Sequence, residues 1–287
     1  MLVKFFVHFF KEKTRKIDVE ALFEFFENYK NIKPYEKDNT IYFSFEDDNI
    51  KLYADFALTP KSIVSDIHRL DPKYLDINFH LEISPLLPTY KAEIIFEIIA
   101  ELCEEFKIFI YNELFDNVLP FRKELLVTVY EIIKKAFKEK SLDEYEKMYY
   151  MEKDYLNQIL KYQYIIESIK TYLKNDDITV PNYLFFKPLN GNTVKTAIEW
   201  IHGVNTVFPP KLDYVIYKKD GKEMLYSFDE VNKAIAKHLS ELPIFVKDTR
   251  ISAKHSFKKI LKIMNKNKFR ELEDNFIRID IEDIIDI

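Results

Sequence analysis

Two histidines and two carboxylates in the first third of the chain, His8, Asp55, His80 and Glu82, are the residue types best suited to catalysis. Imidazole and carboxylate together can ligate a divalent metal, or divide the roles of general acid and general base. Tyr53 lies close to Asp55, and His80-Leu81-Glu82 repeats the H-x-E spacing of zinc deaminases. The P-C-x-x-C that must follow is absent, and Cys103 is the one cysteine, so that identification fails. Alternation places side chains of one strand on one face but does not say which strands are adjacent. Polar residues facing water, or lying under a packed helix, are the commoner account of such positions. No catalytic residue, metal or cofactor is therefore expected, and the four residues stand as the alternative of a metal-dependent hydrolase or nuclease.

The same segments offer other surfaces. Phe6, Phe10 and Tyr53 would make a base-stacking platform if their strands were neighbours, but Asn49–Phe56 lacks the glycine and positive charge of an RNA-recognition strand. Glu93, Glu97, Glu101, Glu104 and Glu105 form an acidic stripe on one helix, accompanied only by Lys91 and Lys107. Such a stripe is either a solvated face or a docking surface for a basic protein. Near the C-terminus, residues 247–270 hold nine Lys or Arg against one Asp, among them Lys254, Lys258, Lys259, Lys262 and Lys266. They could bind an anion, nucleic acid or a membrane surface. Seven acids against Arg278 follow in residues 271–287, so neutralisation by that tail is the simpler expectation.

Composition removes other chemistries. The only glycines are Gly191, Gly203 and Gly221. No G-x-G-x-x-G, Walker loop or G-x-S-x-G elbow can be built from the first two-thirds, because each needs glycine for close backbone approach. One cysteine excludes an internal disulfide and a cysteine zinc cage. Cys103 lies among Ile99, Leu102 and Phe106, where an inert thiol is expected. No apolar run approaches membrane-spanning length, and the N-terminus lacks a signal-peptide cleavage pattern, so a cytoplasmic location is expected. The first 140 residues carry 20 Lys or Arg against 25 Asp or Glu, a poor match for nucleic acid. The 25 Phe and 19 Tyr suit cores and interfaces, although coding bias also enriches them.

The elements that would position these residues follow from periodicity. Val3 to Phe10 alternates as a strand; Asp18 caps a helix bearing Leu22, Phe23, Phe26 and Tyr29. Ile41–Phe45 and Lys51–Phe56 form a hairpin, and Thr59-Pro60 opens a short helix. Asp76–Ile83 is a strand, Thr89 caps a long helix, and Ile108–Tyr111 returns as a strand. This βαββ(α)βαβ order predicts a ferredoxin-like α/β sandwich over residues 1–120. Residues 121–175 read as a helical hairpin connector, its first helix lined by Leu125, Leu126, Val129, Ile132, Ile133 and Phe137. A capping box at Ser141–Glu144 opens the second, which reaches about Lys174 and holds seven tyrosines. Residues 176–287 read as an α+β domain in which an antiparallel sheet packs with helices. Asn190-Gly191 and Asp220-Gly221 mark its hairpins, pairing Tyr183–Lys187 with Val194–Trp200 and Leu212–Lys218 with Met224–Phe228. Helices follow at about Asp229–Leu242 and Ser252–Lys266.

An α+β protein with no recognisable nucleotide loop, catalytic triad or metal motif is expected to be a non-enzymatic cytoplasmic protein-interaction module. An inhibitor or immunity-type protein that binds a basic partner through Glu93, Glu97, Glu101, Glu104 and Glu105 fits that description. Its oligomeric state is open. The metal-dependent hydrolase and the anion binder are the alternatives.

Overall fold

Alternating Phe and Val in Phe5–Glu12 (β1) send Phe5, Val7 and Phe9 to one side, where all three are fully buried. In the computed structural model, which describes residues 4–140, 142–174, 176–189, 193–242, 245–252, 255–273 and 275–286, the chain is α+β. Its contacts divide it into two units, Met1–Glu146 and Lys147–Ile287. The expected connector at 121–175 is split by that boundary.

In the first unit β1 is followed by α1 (Val19–Glu27), β2 (Ile32–Lys37), β3 (Thr40–Asp47), β4 (Leu52–Leu58), β5 (Tyr74–Ile83), α2 (Thr89–Phe106), β6 (Phe109–Tyr111), α3 (Lys123–Lys140) and α4 (Leu142–Tyr145). The sheet runs β2-β3-β4-β5-β1-β6, antiparallel throughout. Taken alone, β6-β1-β5-β4 with α1 and α2 has the ferredoxin-like order; the β2–β3 hairpin extends the sheet beyond β4. Phe26 of α1 stacks on Phe43 at 4.5 Å and packs beside Phe56 and Phe79, which builds the core between helices and sheet. Asp18 caps α1 as expected, accepting from Glu20 N at 2.9 Å.

Several local expectations change. Thr59-Pro60 starts no helix: the Thr59 hydroxyl donates to Lys61 O and the residue's N–H to Asn78 O, and the first helical turn comes at Ile67–Arg69. Thr89 is the first residue of α2 rather than its cap, and its hydroxyl turns to Glu131 on α3. On α3 the buried residues include Leu126, Val129, Tyr130 and Phe137, while Ile132 is exposed. Val3, Ser141 and Asn190-Gly191 lie outside the described residues.

The second unit begins with β7 (Tyr149–Met151), so the long helix expected to Lys174 is interrupted. It resumes as α5 (Lys153–Tyr164) and α6 (Ile166–Tyr172), with Glu152 capping α5 by accepting from Asp154 N and Tyr155 N. Then come β8 (Ile178–Thr179), β9 (Leu184–Pro188), β10 (Lys195–Ile201), β11 (Asn205–Phe208), β12 (Tyr214–Lys219), β13 (Lys222–Ser227), α7 (Phe228–Ile235), β14 (Leu239–Glu241), β15 (Arg250–Ser252), α8 (Phe257–Lys266), β16 (Phe276–Ile279) and β17 (Ile284–Asp286). The sheets run β13-β12-β10-β9-β16 and β14-β15-β11-β8, with β17 beside β7. Both expected pairings, β9 with β10 and β12 with β13, are antiparallel, whereas β10 and β12 are parallel. The turn at Asp220-Gly221 has φ of 50° and 76°, the two left-handed residues of a type I′ hairpin. The helix expected over Asp229–Leu242 stops at Ile235, because Leu239–Glu241 pairs with β15; Ser252 belongs to β15 and the last helix starts at Phe257. Trp200, Val215, Tyr217, Val231, Ile235 and Ile260 share one core between the five-stranded sheet and α7 and α8.

Candidate functional site

The residues that β1, β4 and β5 turn away from the helices form the outer face of the first sheet. His8 stands directly opposite His80, and Asp55 opposite Glu82, so pairing brings together all four residues nominated from sequence. The two imidazole centroids are 5.7 Å apart. Each ring has its own carboxylate: His80 Nε2 lies 2.9 Å from Glu82 Oε1, and His8 Nε2 lies 3.0 Å from Glu113 Oε1. The second oxygen of Glu82 accepts from Lys4 Nζ. Phe6 stacks on His8 at 5.9 Å and also meets His80.

These contacts make two carboxylate–imidazole pairs rather than a chelate. Among the described residues, no group of three or more His, Cys, Asp or Glu is arranged to hold a metal ion. His8 and His80 are 2% and 1% exposed, so both rings lie beneath the side chains around them. Burial pushes the Glu82 carboxyl upward, but the bonds from His80 and Lys4 outweigh it and hold the group below its ordinary range. Glu113 behaves alike: burial raises it, while the bond to His8 and a backbone N–H bring it lower.

Glu113 carries no signal in the sequence, since it follows β6 in a loop. Buried Asn112 positions that loop by donating to Phe6 O at 2.7 Å and accepting from Leu114 N at 3.0 Å. Phe10, expected on a stacking surface, is 1% exposed and packs edge-on against Tyr111. Its strand and that of Tyr53 are separated by β5, so no continuous platform of Phe6, Phe10 and Tyr53 forms.

Toward β2 the outer face opens. Tyr35 and Tyr53 are 43% and 48% exposed, and Tyr35 stacks on Tyr42 at 4.8 Å with 9° between the rings. Asp55 lies half-buried on this side. Burial, chiefly, raises its carboxyl; the Ser44 hydroxyl and Lys4 oppose that, and Glu82 and Glu46 add to it. Burial likewise raises the Tyr35 phenol, with Asp55 the next cause. The sheet ends at β2, whose Pro34, Lys33 and Lys37 blunt the edge against strand addition. A ligand of this region therefore meets a side-chain surface of tyrosines around a carboxylate.

The acidic stripe faces outward on α2 as expected, but part of it is answered internally. Lys123 of α3 lies 3.5 Å from Glu93 and 2.5 Å from Glu97, and the Tyr29 hydroxyl donates to Glu101. Glu104 and Glu105 are exposed. On the inner side Cys103 is buried, and burial pushes its thiol up to about 12.

In the second unit Lys258, Lys259, Lys262 and Lys266 are exposed on α8, while Ile260 and Met264 anchor it; Lys254 lies outside the described residues. None of the four lysines has an ion-pair partner among the described residues. The acidic tail that follows supplies β16 and β17, with Phe276, Ile279, Ile284 and Ile285 entering sheets. No helix among the described residues is long and apolar enough to cross a membrane. Comparison of the chain with protein-family models, with curated proteins and with solved structures finds no match.

Proposed function

We propose that this is a non-enzymatic, cytoplasmic protein-interaction module whose open sheet face binds a basic protein, in the manner of an inhibitor or immunity-type protein. The observation that carries the reading is the half-buried Asp55, ringed by Tyr35, Tyr42 and Tyr53 on the uncovered part of the outer face. Tyrosine supplies large, rigid contact area at interfaces, and a Lys or Arg of the partner would answer the carboxylate that the chain itself leaves under-compensated. On this reading the sheet face, rather than the α2 stripe of Glu93, Glu97, Glu101, Glu104 and Glu105, is the main binding surface. A second reading, an anion binder, rests on the exposed lysines of α8 that the tail leaves unpaired.

Affinity capture from the native host, followed by stopped-flow association with the captured protein, tests both. Asp55→Lys is expected to slow association about tenfold, with a loss that shrinks as salt rises. Tyr53→Ala should speed dissociation, and Glu97→Lys with Glu101→Lys should change association far less. Equal rates for wild type and Asp55→Lys overturn the sheet-face reading. Selective loss in Lys258→Glu with Lys262→Glu establishes the anion-binding one.

A further inference from the structure

The five-stranded sheet of the second unit has two unlike faces. Val215 and Tyr217 enter the core with α7 and α8; Tyr214 and Ile216, one residue out of phase, point to the other side. There Phe186 and Phe276 join Tyr214 around a cavity of about 160 Å³, together with Leu272, Glu223 and Glu271. The ring centroids of Phe186 and Phe276 are 6.5 Å apart and inclined at 68°, and those of Tyr214 and Phe276 are 5.4 Å apart and inclined at 54°. Rings so inclined wall a space instead of filling it by stacking.

We propose that this cavity binds an organic ammonium group, its alkyl substituents against the three rings and its charge toward Glu271. The volume is close to that of a cavity of about 150 Å³ that holds benzene, so a trimethylammonium-sized group fits. A cation within about 6 Å of an aromatic centroid is attracted by the ring quadrupole, and three rings reach such a guest at once. A small inorganic cation would lose its water here without oxygen ligands to replace it, whereas an alkylated ammonium is weakly hydrated. Glu271 has no ion-pair partner among the described residues. Glu223 already shares Lys218 with Glu199, at 3.0 and 2.9 Å, and so contributes less. Lys195, on the same face, is held by Asp213 at 3.0 Å and does not line the cavity.

The ammonium could belong to a free small molecule or to a methylated lysine of another protein. Calorimetric titration of the full chain with choline, its uncharged isostere 3,3-dimethylbutan-1-ol, and a trimethyllysine peptide separates these sources. One or both ammonium ligands should saturate, and the isostere should bind at least about tenfold more weakly. Tighter binding of the peptide assigns a protein source; choline as tight or tighter assigns a small molecule. Phe276→Leu should weaken binding about fivefold to tenfold and Glu271→Gln about threefold, with unchanged circular dichroism. Leu272→Trp, which fills the cavity, should abolish binding and serves if Phe276→Leu fails to fold. Absence of saturable ammonium binding, equal binding of the isostere, or full affinity in a folded Phe276→Leu or Leu272→Trp variant overturns the proposal.

Discussion

The first unit carries two acidic surfaces that differ in how far the chain answers their charge. On α2, five glutamates stand in a row, yet Lys123 reaches two of them and Tyr29 a third. On the outer sheet face the carboxylates are fewer, and Asp55 is half-buried with a hydroxyl and a more distant lysine for relief. The density of like charge along a sequence is thus a poor measure of a surface's demand for a cation. Burial and the neighbours supplied by other elements decide it, because desolvation raises the cost of each unanswered charge.

The comparison breaks first if α2 is turned. Cys103 marks its inner side, and its thiolate is suppressed by burial. Labelling of the native protein by a thiol reagent at pH 8 should run about three orders of magnitude slower than in denaturant. Rapid stoichiometric labelling would mean that the inner and outer sides of the helix are exchanged.

Urea unfolding as a function of pH sharpens the sheet-face half. Glu82 and Glu113 have folded values below their unfolded ones, so their stabilisation is complete above the ordinary carboxylate range of about 4.3 and is lost as pH falls through the lowered values. Asp55 has the opposite sign: its protonated form favours the fold, so stability rises as pH falls through its raised value toward about 3.9. Wild type should therefore gain slightly on mild acidification and then lose stability. Burial raises Asp47 in the same way, so Asp55→Asn should reduce the gain without abolishing it, and Glu82→Gln or Glu113→Gln should lose less on the acid limb. An unchanged acid limb in both Gln variants would show that the carboxylate–imidazole pairs contribute nothing.

The smallest effect is expected at Lys123. Lys123→Met removes two partly exposed ion pairs, to Glu93 and Glu97, and should cost no more than about 1 kcal/mol in urea denaturation. By freeing Glu93 and Glu97 it should also raise the association rate of a basic partner about twofold at low salt. A loss above about 2 kcal/mol would show that these pairs build the fold and do not merely decorate it.

Much of the first unit was legible because its strands alternate cleanly and its helices carry one apolar side. Strand β2 was not, since Ile32 is its one buried residue and Pro34 argues against a strand. Its signal was Asp38-Asn39, whose φ values of 51° and 59° make a type I′ turn without glycine. The sequence named His8, Asp55, His80 and Glu82, but their meeting depends on strand order, a long-range property. Lys4 shares the His8 face by the alternation of its strand, whereas Glu113 joined them through a loop that no periodicity marks. In the second unit, β7 was hidden inside a helical pattern because its pairing partner lies more than 130 residues away. The same cause concealed β16 and β17 within the acidic tail, whose isoleucines are strand residues.

That late pairing sets an order of assembly during synthesis. The first unit possesses its last strand once Tyr111 has been made, and its last long helix by Lys140. It can therefore close while the remainder is still being translated. The second unit cannot: β16 completes the edge beside β9, and β17 pairs with β7, the strand with which that unit begins. Until residues 276–286 leave the ribosome, β7 and β9 wait with open edges, and those edges can pair with other nascent chains. The C-terminal unit is therefore the part of the molecule that stays incomplete longest during synthesis, and a chain cut short near residue 270 would lack the strands that close those edges.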